Sequence, residues 1–301
     1  MTAPQLEKAA VRRARAHAAR RDGAAPVLFA EIARRMDERL ALMKIAPHVA
    51  LDAGCGTGAP AAALRKRYPR CTTISADDVM AVVAGVQGRR SAFARALAVL
   101  GITLGNSALP LAAELDALPV ADASVGLVWS NLALHRHADP LPVLREVQRV
   151  LSPEGLFMFS TLGPDTLREL RQAFARADAG APHVHGFVDM HDLGDMLVAS
   201  GFSAPVMDME VITLTYKDVT ALAKDLKAMG SANALDARRR TLSGRALWDR
   251  VSAAYEPYRK DGRLPASFEI VYGHAWKAMP RKDRDATGAV QVVQFRPQHR
   301  P

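Results

Sequence analysis

Cysteine is scarce. Cys55 and Cys71 are the two in 301 residues, one inside a glycine-rich turn and one opening a strand, which excludes a disulfide framework and a zinc knuckle and makes a reducing cytoplasm the expected setting. Aromatic residues are few as well, 6% of the chain, and they are not interleaved with the basic clusters, so stacking on nucleic-acid bases has no support. No apolar run approaches the roughly 18 residues needed to cross a bilayer, which excludes a membrane span. Internal repeats are lacking, and the Ala/Arg-rich start is the one biased tract.

What is present is ordinary for a globular protein: 49% hydrophobic and 24% charged residues, enough chain for one large core. The net charge of +9 favours an acidic partner through long-range attraction. The first 26 residues, rich in Ala and Arg and poor in acids, superficially match an organelle transit peptide. They lack the usual serines, however, and Glu7 and Lys8 stand in helical spacing with the basic residues that follow, so an amphipathic helix is expected.

The periodicity predicts helix over residues 5–44, broken at Gly23 to Pro26, with Phe29, Ile32, Met36, Leu40 and Met43 on one face. A strand "HVALDAG", a helix from Thr57 to about Tyr68, and a second strand "CTTISAD" come next. This order opens a parallel, doubly wound α/β sheet of Rossmann-like form. Residues 79–100 are helical in pattern but interrupted by Gly85 and Gly88, and the stretch to Ala112 carries no clear signal. Strand returns at 124–131, a helix spans Asp139 to Leu151, and "PEG" turns the chain into the strand "LFMFSTL". Helices over "DTLRELRQAFARA" and His191 to Ser200 lead to the strand "VMDMEVITLTY", and "SFEIVYGHAWKA" is the last strand. The expected organisation is an N-terminal helical arm (1–45), a core (46–216), a helical insertion (217–263), a strand that completes the core (264–278) and a tail (279–301).

The chemistry is concentrated in "LDAGCGTGAP". Glycines after a first strand let backbone approach a ligand, and the next helix offers free N–H groups. Dinucleotide-binding turns read G-x-G-x-x-G; here Gly54, Gly56 and Gly58 are spaced G-x-G-x-G behind Asp52. A carboxylate there would repel a diphosphate but suits the ammonium of an amino acid, so the expected ligand joins adenosine to an amino acid: S-adenosyl-L-methionine.

At these residues the sequence resembles the class I methyltransferases. The blocks "LPVADASVGLVWSNLALH", "EVQRVLSPEGLFMFSTLGPDTLRELRQAF", "HVHGFVDMHDLGDMLVASGF" and "RLPASFEIVYGHAWK" are similar to the malonyl carrier-protein O-methyltransferases of bacterial biotin synthesis and together cover most of residues 46–278. The resemblance implies methyl transfer from S-adenosyl-L-methionine to the free carboxylate of a malonyl group carried on an acidic acyl carrier protein in the cytoplasm. It also implies that Asp52, Gly54, Cys55, Gly56 and Gly58 hold the methionine part, that Glu114 lies near adenine, and that Asn131 and His135 border the transfer pocket. Glu114 as a solvated loop acid, Asn131 as a strand-end cap and His135 as a packed or capping side chain are the competing readings. An arginine hydroxylase that assists assembly of respiratory complex I has similar C-terminal blocks and is the alternative.

Three positions depart from the family pattern. Counting back from Met80 puts the ribose-facing acid at Ser75, with Asp77 two residues on as a substitute; the arm reads Arg21-Asp22 where an aromatic and an acid are usual; and Arg136 follows His135 where the family has Trp. These keep altered substrate choice, weak catalysis, or a non-catalytic binding protein among the expectations.

Carboxyl methylation needs no general base, because the carboxylate is already an anion at neutral pH. It does need a cation to hold that carboxylate. Arg168 and Arg171 lie three apart on the helix after the fifth strand, and Arg171 matches the arginine of the family's "TL-x-ELR" block; a solvated arginine paired with Glu169 or Asp165 is the equal competitor. Carrier-protein docking is expected at Arg12, Arg13, Arg15, Arg20 and Arg21 and at Arg238, Arg239 and Arg240. His183, His185, His191 and Asp192 have the composition of a metal site, but their block reads as a pocket-edge loop and no metal is expected.

Overall fold

The computed structural model describes residues 6–20, 26–56, 58–88, 108–241 and 243–279. The helix start expected at Thr57, the Arg21-Asp22 pair, residues 89–107 and most of the tail lie outside these.

The N-terminal helices are α1 (Lys8–Ala19) and α2 (Val27–Leu40). α2 buries Leu28, Ile32, Met36 and Leu40, the i, i+4 stripe read from the sequence, and Phe29 packs at its edge. The first crossover is β1 (Val49–Ala53), α3 (Ala59–Arg67) and β2 (Thr72–Asp77), followed by α4 (Met80–Gly88), β3 (Leu109–Ala112) and β4 (Val125–Asn131). A 3-10 turn over Leu134–Arg136 precedes α5 (Leu141–Val150), β5 (Leu151–Leu162), α6 (Arg168–Ala177) and α7 (Met190–Ala199). β6 (Phe202–Tyr216), α8 (Val219–Ala228), α9 (Arg245–Tyr255) and β7 (Leu264–Lys277) follow.

The sheet runs β3-β2-β1-β4-β5-β7-β6. Strands β1 to β5 are parallel and β7 is antiparallel to both its neighbours. Strand order reverses between β1 and β4, the place where such sheets open a crevice at their carboxyl edge. One face is covered by α2, α6 and α9, whose apolar stripes enclose Trp129, Met158, Phe268 and Ile270. The other is covered by α5 and α7, which enclose Leu51, Val128, Phe157 and Phe159. With both faces covered, the central strands are apolar on both sides.

Two elements differ from the sequence-based expectation. β3 carried no signal, because it is four residues long, contains Pro110 and lies at the sheet edge, where a missing N–H is tolerated. The "PEG" stretch is not a turn ahead of β5. Pairing passes from Val125 with Leu151 to Leu127 with Leu156, so residues 152–155 bulge out of a strand that begins where α5 ends.

Candidate active site

The glycine turn closes β1 at the crevice. Gly54 has φ +80, and a Cβ there would lie 2.5 Å from the Ala133 Cβ, so no side chain fits at this position. The Gly54 and Cys55 amides donate to the Ala76 carbonyl at 2.8 and 3.0 Å, which pins the turn to the end of β2. Gly58, with φ +74, leads into α3. Cys55 is buried, and burial pushes its thiol pKa up, so it is an inert part of the turn.

Asp52 lies behind this turn, 1% exposed, with neither carboxylate oxygen hydrogen bonded. Burial pushes its pKa up to about 7, and the neighbouring Asp77 adds to the rise while the Ala61 amide opposes it. An uncompensated buried carboxylate is costly unless a cation reaches it.

β2 brings two polar residues to the same face. Ser75 is opposite Asp52 in the strand register, fully buried and with no partner for its Oγ. Ser75 lies two residues before the strand end, and Asp77 ends the strand. The Asp77 carboxylate accepts from the Val79 amide at 3.0 Å and the Gly56 amide at 3.5 Å, joining the strand end to the turn.

α1 lies across this edge with Lys8, Arg12 and Arg15 on one helical face. Arg15, itself buried, reaches Asp77 at 2.5 Å and also pairs with Asp78. Arg12 pairs with Asp78 at 3.1 Å and with Glu114; Lys8 reaches Glu114 at 2.5 Å and Asp116 at 3.8 Å. Glu114 is thus paired with the arm while its side chain stays partly exposed.

Beside the arm is a second cavity of about 90 Å³, lined by Arg15, His135, Arg136, Leu162, Leu167, His185, Phe187 and Phe268, among others. His135 meets the Phe187 ring edge-on at 6.0 Å, and burial, then Arg136, holds its pKa well below 6.5. It is a neutral imidazole at pH 7. Asn131 has both ends of its amide engaged: Nδ2 donates to the Phe29 carbonyl at 3.1 Å and Oδ1 accepts from Ser160 at 2.9 Å. It fastens α2 to the strand ends.

The cations expected from sequence are employed elsewhere. Arg171 donates to the carbonyls of Pro164, Thr166 and His185 at 2.9, 3.1 and 3.2 Å. Its planar fork holds two loops together, and Arg171 is not among the residues lining the cavity. Arg168 is exposed, 3.6 Å from Glu169, and is likewise absent from the lining. Arg238 and Arg240 pair with Glu7 at 2.7 and 2.8 Å, and Arg239 with Asp178 at 3.4 Å. Together with Arg12, Arg13 and Arg15 they pair with the chain's own acids. The cations that do line the cavity, Arg15 and Arg136, were read from sequence for other reasons; Arg136 stood out only as a departure from Trp.

The histidine cluster does not converge. His183 bonds Asp178 at 2.9 Å and stacks on Phe174, His185 Nε2 accepts from the Ala234 amide at 2.9 Å, and His191 pairs with Asp189 on α7. Among the described residues no three metal-binding side chains come together.

This fold and glycine turn define a class I methyltransferase. Residues 51–159 match the family described as Methyltransferase domain, and the YcgJ protein of Bacillus subtilis has the same fold, with a TM-score of 0.56 at 16% identity over 82% of this chain and 99% of that one. The chain is 47% identical over 292 residues to the malonyl-[acyl-carrier protein] O-methyltransferase of Methylovorus sp. (strain MP688), covering 97% of this chain and 96% of the relative. It is 45% identical to that of Gallionella capsiferriformans (strain ES-2), covering 95% and 97%. The chain belongs to the malonyl-[acyl-carrier protein] O-methyltransferase family.

The family's methyl donor is S-adenosyl-L-methionine, and the residues present fit it. The buried Asp52 carboxylate has no side-chain hydrogen-bond partner, a role an α-ammonium can take, and the turn at Gly54 has no room for a Cβ. Asp77 is the strand-end acid, shared at present with Arg15.

Proposed function

We propose that this protein methylates the free carboxylate of a malonyl thioester carried on an acyl carrier protein, in the bacterial cytoplasm and in the service of biotin synthesis. The observation that carries the reading is the 47% identity across 97% of the chain to a relative of that name. It is supported by a small cavity with cationic and apolar walls next to the glycine turn.

S-adenosyl-L-methionine, when bound, supplies an electrophilic methyl group on a sulfonium. Asp52 would hold the ammonium, and Asp77, once Arg15 withdraws, the ribose hydroxyls. Glu114 lies near the adenine end on the family pattern. The Oδ1 and Nδ2 atoms of Asn131 keep α2 seated against β4 and β5. The acceptor carboxylate is already an anion at neutral pH, so methyl transfer would need no base and no proton to move. His135 is neutral and does not protonate the nucleophile. Leu162, Leu167 and Phe187 exclude water, so the protein's contribution is alignment and desolvation.

The test is incubation with S-adenosyl-L-methionine and malonyl-acyl carrier protein, read by intact mass. The expected result is a mass gain of one methylene on malonyl but not on acetyl carrier protein. Equal labelling of neither or of both would sink the reading. The arginine hydroxylase alternative gains no support, because His183, His185 and His191 each face a different partner.

A further inference from the structure

We propose that Arg136 is the residue that receives the acceptor's carboxylate and so sets the enzyme's preference for an acidic acyl group; this rests on the methyl-transfer reading above. Arg136 ends the 3-10 turn after β4, at the topological switch point of the sheet. Its guanidinium lines both the cavity on the glycine-turn side, with Gly54 and Ala133, and the apolar cavity under Phe187. A Cβ placed on Gly54 would lie 3.6 Å from Nη1, so this nitrogen is close to where the turn holds its ligand. Nη1 is enclosed and has no hydrogen-bond partner.

The other arginine common to both cavities, Arg15, is engaged by Asp77 and Asp78. Arg136 is therefore the cation of this cleft with donors to spare. An enclosed guanidinium nitrogen without a hydrogen-bond partner is destabilising until an acceptor meets it, and a single carboxylate oxygen accepts a charge-assisted bond from Nη1. One carboxylate oxygen bound there leaves the other to face the methyl group. An acetyl group would leave Nη1 unpaired, and the methyl ester product would offer it only a neutral carbonyl oxygen, a stronger discrimination than apolar contacts provide. Product ester would accordingly leave readily.

The experiment compares wild type, Arg136→Lys, Arg136→Ala and Arg136→Trp, the last restoring the aromatic of the family pattern. Each is measured for S-adenosylhomocysteine affinity by calorimetry and for methylation of malonyl-acyl carrier protein. Arg136→Ala is expected to bind S-adenosylhomocysteine within about threefold of wild type while kcat/KM for the malonyl substrate falls by about 10²- to 10³-fold, with partial recovery in Arg136→Lys. Wild type is expected to be inhibited by malonyl-pantetheine and not by its methyl ester, and Arg136→Ala to be indifferent to that difference. Arg136→Ala with wild-type kcat/KM overturns the assignment and leaves the function standing. A loss confined to S-adenosylhomocysteine affinity overturns it in favour of a cofactor contact. A wild-type protein that fails to methylate malonyl carrier protein overturns both.

Discussion

Single residues carry the pH behaviour. Asp52 has a folded pKa of about 7, raised by burial from an ordinary carboxylate value. Between about pH 4 and 7 the folded protein therefore binds more protons at this site than the unfolded chain, and stability falls as pH rises through that window and levels off above it. Asp52→Asn is expected to remove a penalty on the order of 2–4 kcal/mol at pH 8, raising Tm there and much less at pH 5, as thermal melts at the two pH values would show. The same change is expected to weaken S-adenosylhomocysteine binding at least tenfold, because the ammonium loses its counterion; unchanged affinity would remove Asp52 from the site. Arg171 makes the opposite case. With three carbonyls as its partners, Arg171→Ala is expected to lower stability by about 1–3 kcal/mol, and Arg171→Lys to restore little, since an ammonium cannot span all three. Denaturant melts measure it. Glycine spacing and Asp52 were legible from sequence because a tight turn permits few residue types. The partners of Arg171 were not, since its carbonyl acceptors come from any residue that folding brings near.

At the scale of elements, the arm is held to the strand ends by charge. α1 has three cations on the acids that border the cofactor crevice, and Leu6 and Glu7 tie its start to Leu235 and Ala234. The outer pairs of Lys8 and Arg12 are half-exposed, so each is worth less than about 1 kcal/mol and is weakened by salt. The double change Lys8→Ala and Arg12→Ala is expected to accelerate S-adenosylhomocysteine association severalfold in stopped-flow measurements at low salt, and to abolish most of the rate's salt dependence. An unchanged rate would show that the arm does not gate entry. The helical stripe of α2 and the strands β1, β2 and β4 were legible because their apolar patterns have one period each. β3 was not: four residues with a central proline have too little pattern, and its strand identity comes from pairing with β2.

For the molecule as a whole, charge acts at a distance. The chain carries +9 formally, yet Arg238, Arg239 and Arg240 are spent on Glu7 and Asp178, so carrier-protein steering falls to the net field rather than to that run. Affinity for malonyl-acyl carrier protein is expected to drop about tenfold between 50 and 500 mM salt, with KM for malonyl-pantetheine nearly constant. Equal salt dependence of both would put the effect inside the cavity. No helix among the described residues is long and apolar enough to cross a membrane.

The sequence by itself determined the α/β class, the ligand-holding turn and the family, because these rest on local patterns: glycines where backbone must bend to positive φ, apolar periods that fix strands and helices, and long ordered blocks. Tertiary structure alone decided which charges are free. Arg171 and Arg238 resembled Arg136 as cations in the chain, and only folding gave the first two their partners and left Nη1 of Arg136 enclosed without one. It likewise placed Asp77 at the end of β2 and Ser75 two residues inside it, two residues on one face of one strand. Local pattern is set by neighbours in sequence, whereas the pairing and burial of a charge are set by residues up to hundreds of positions away.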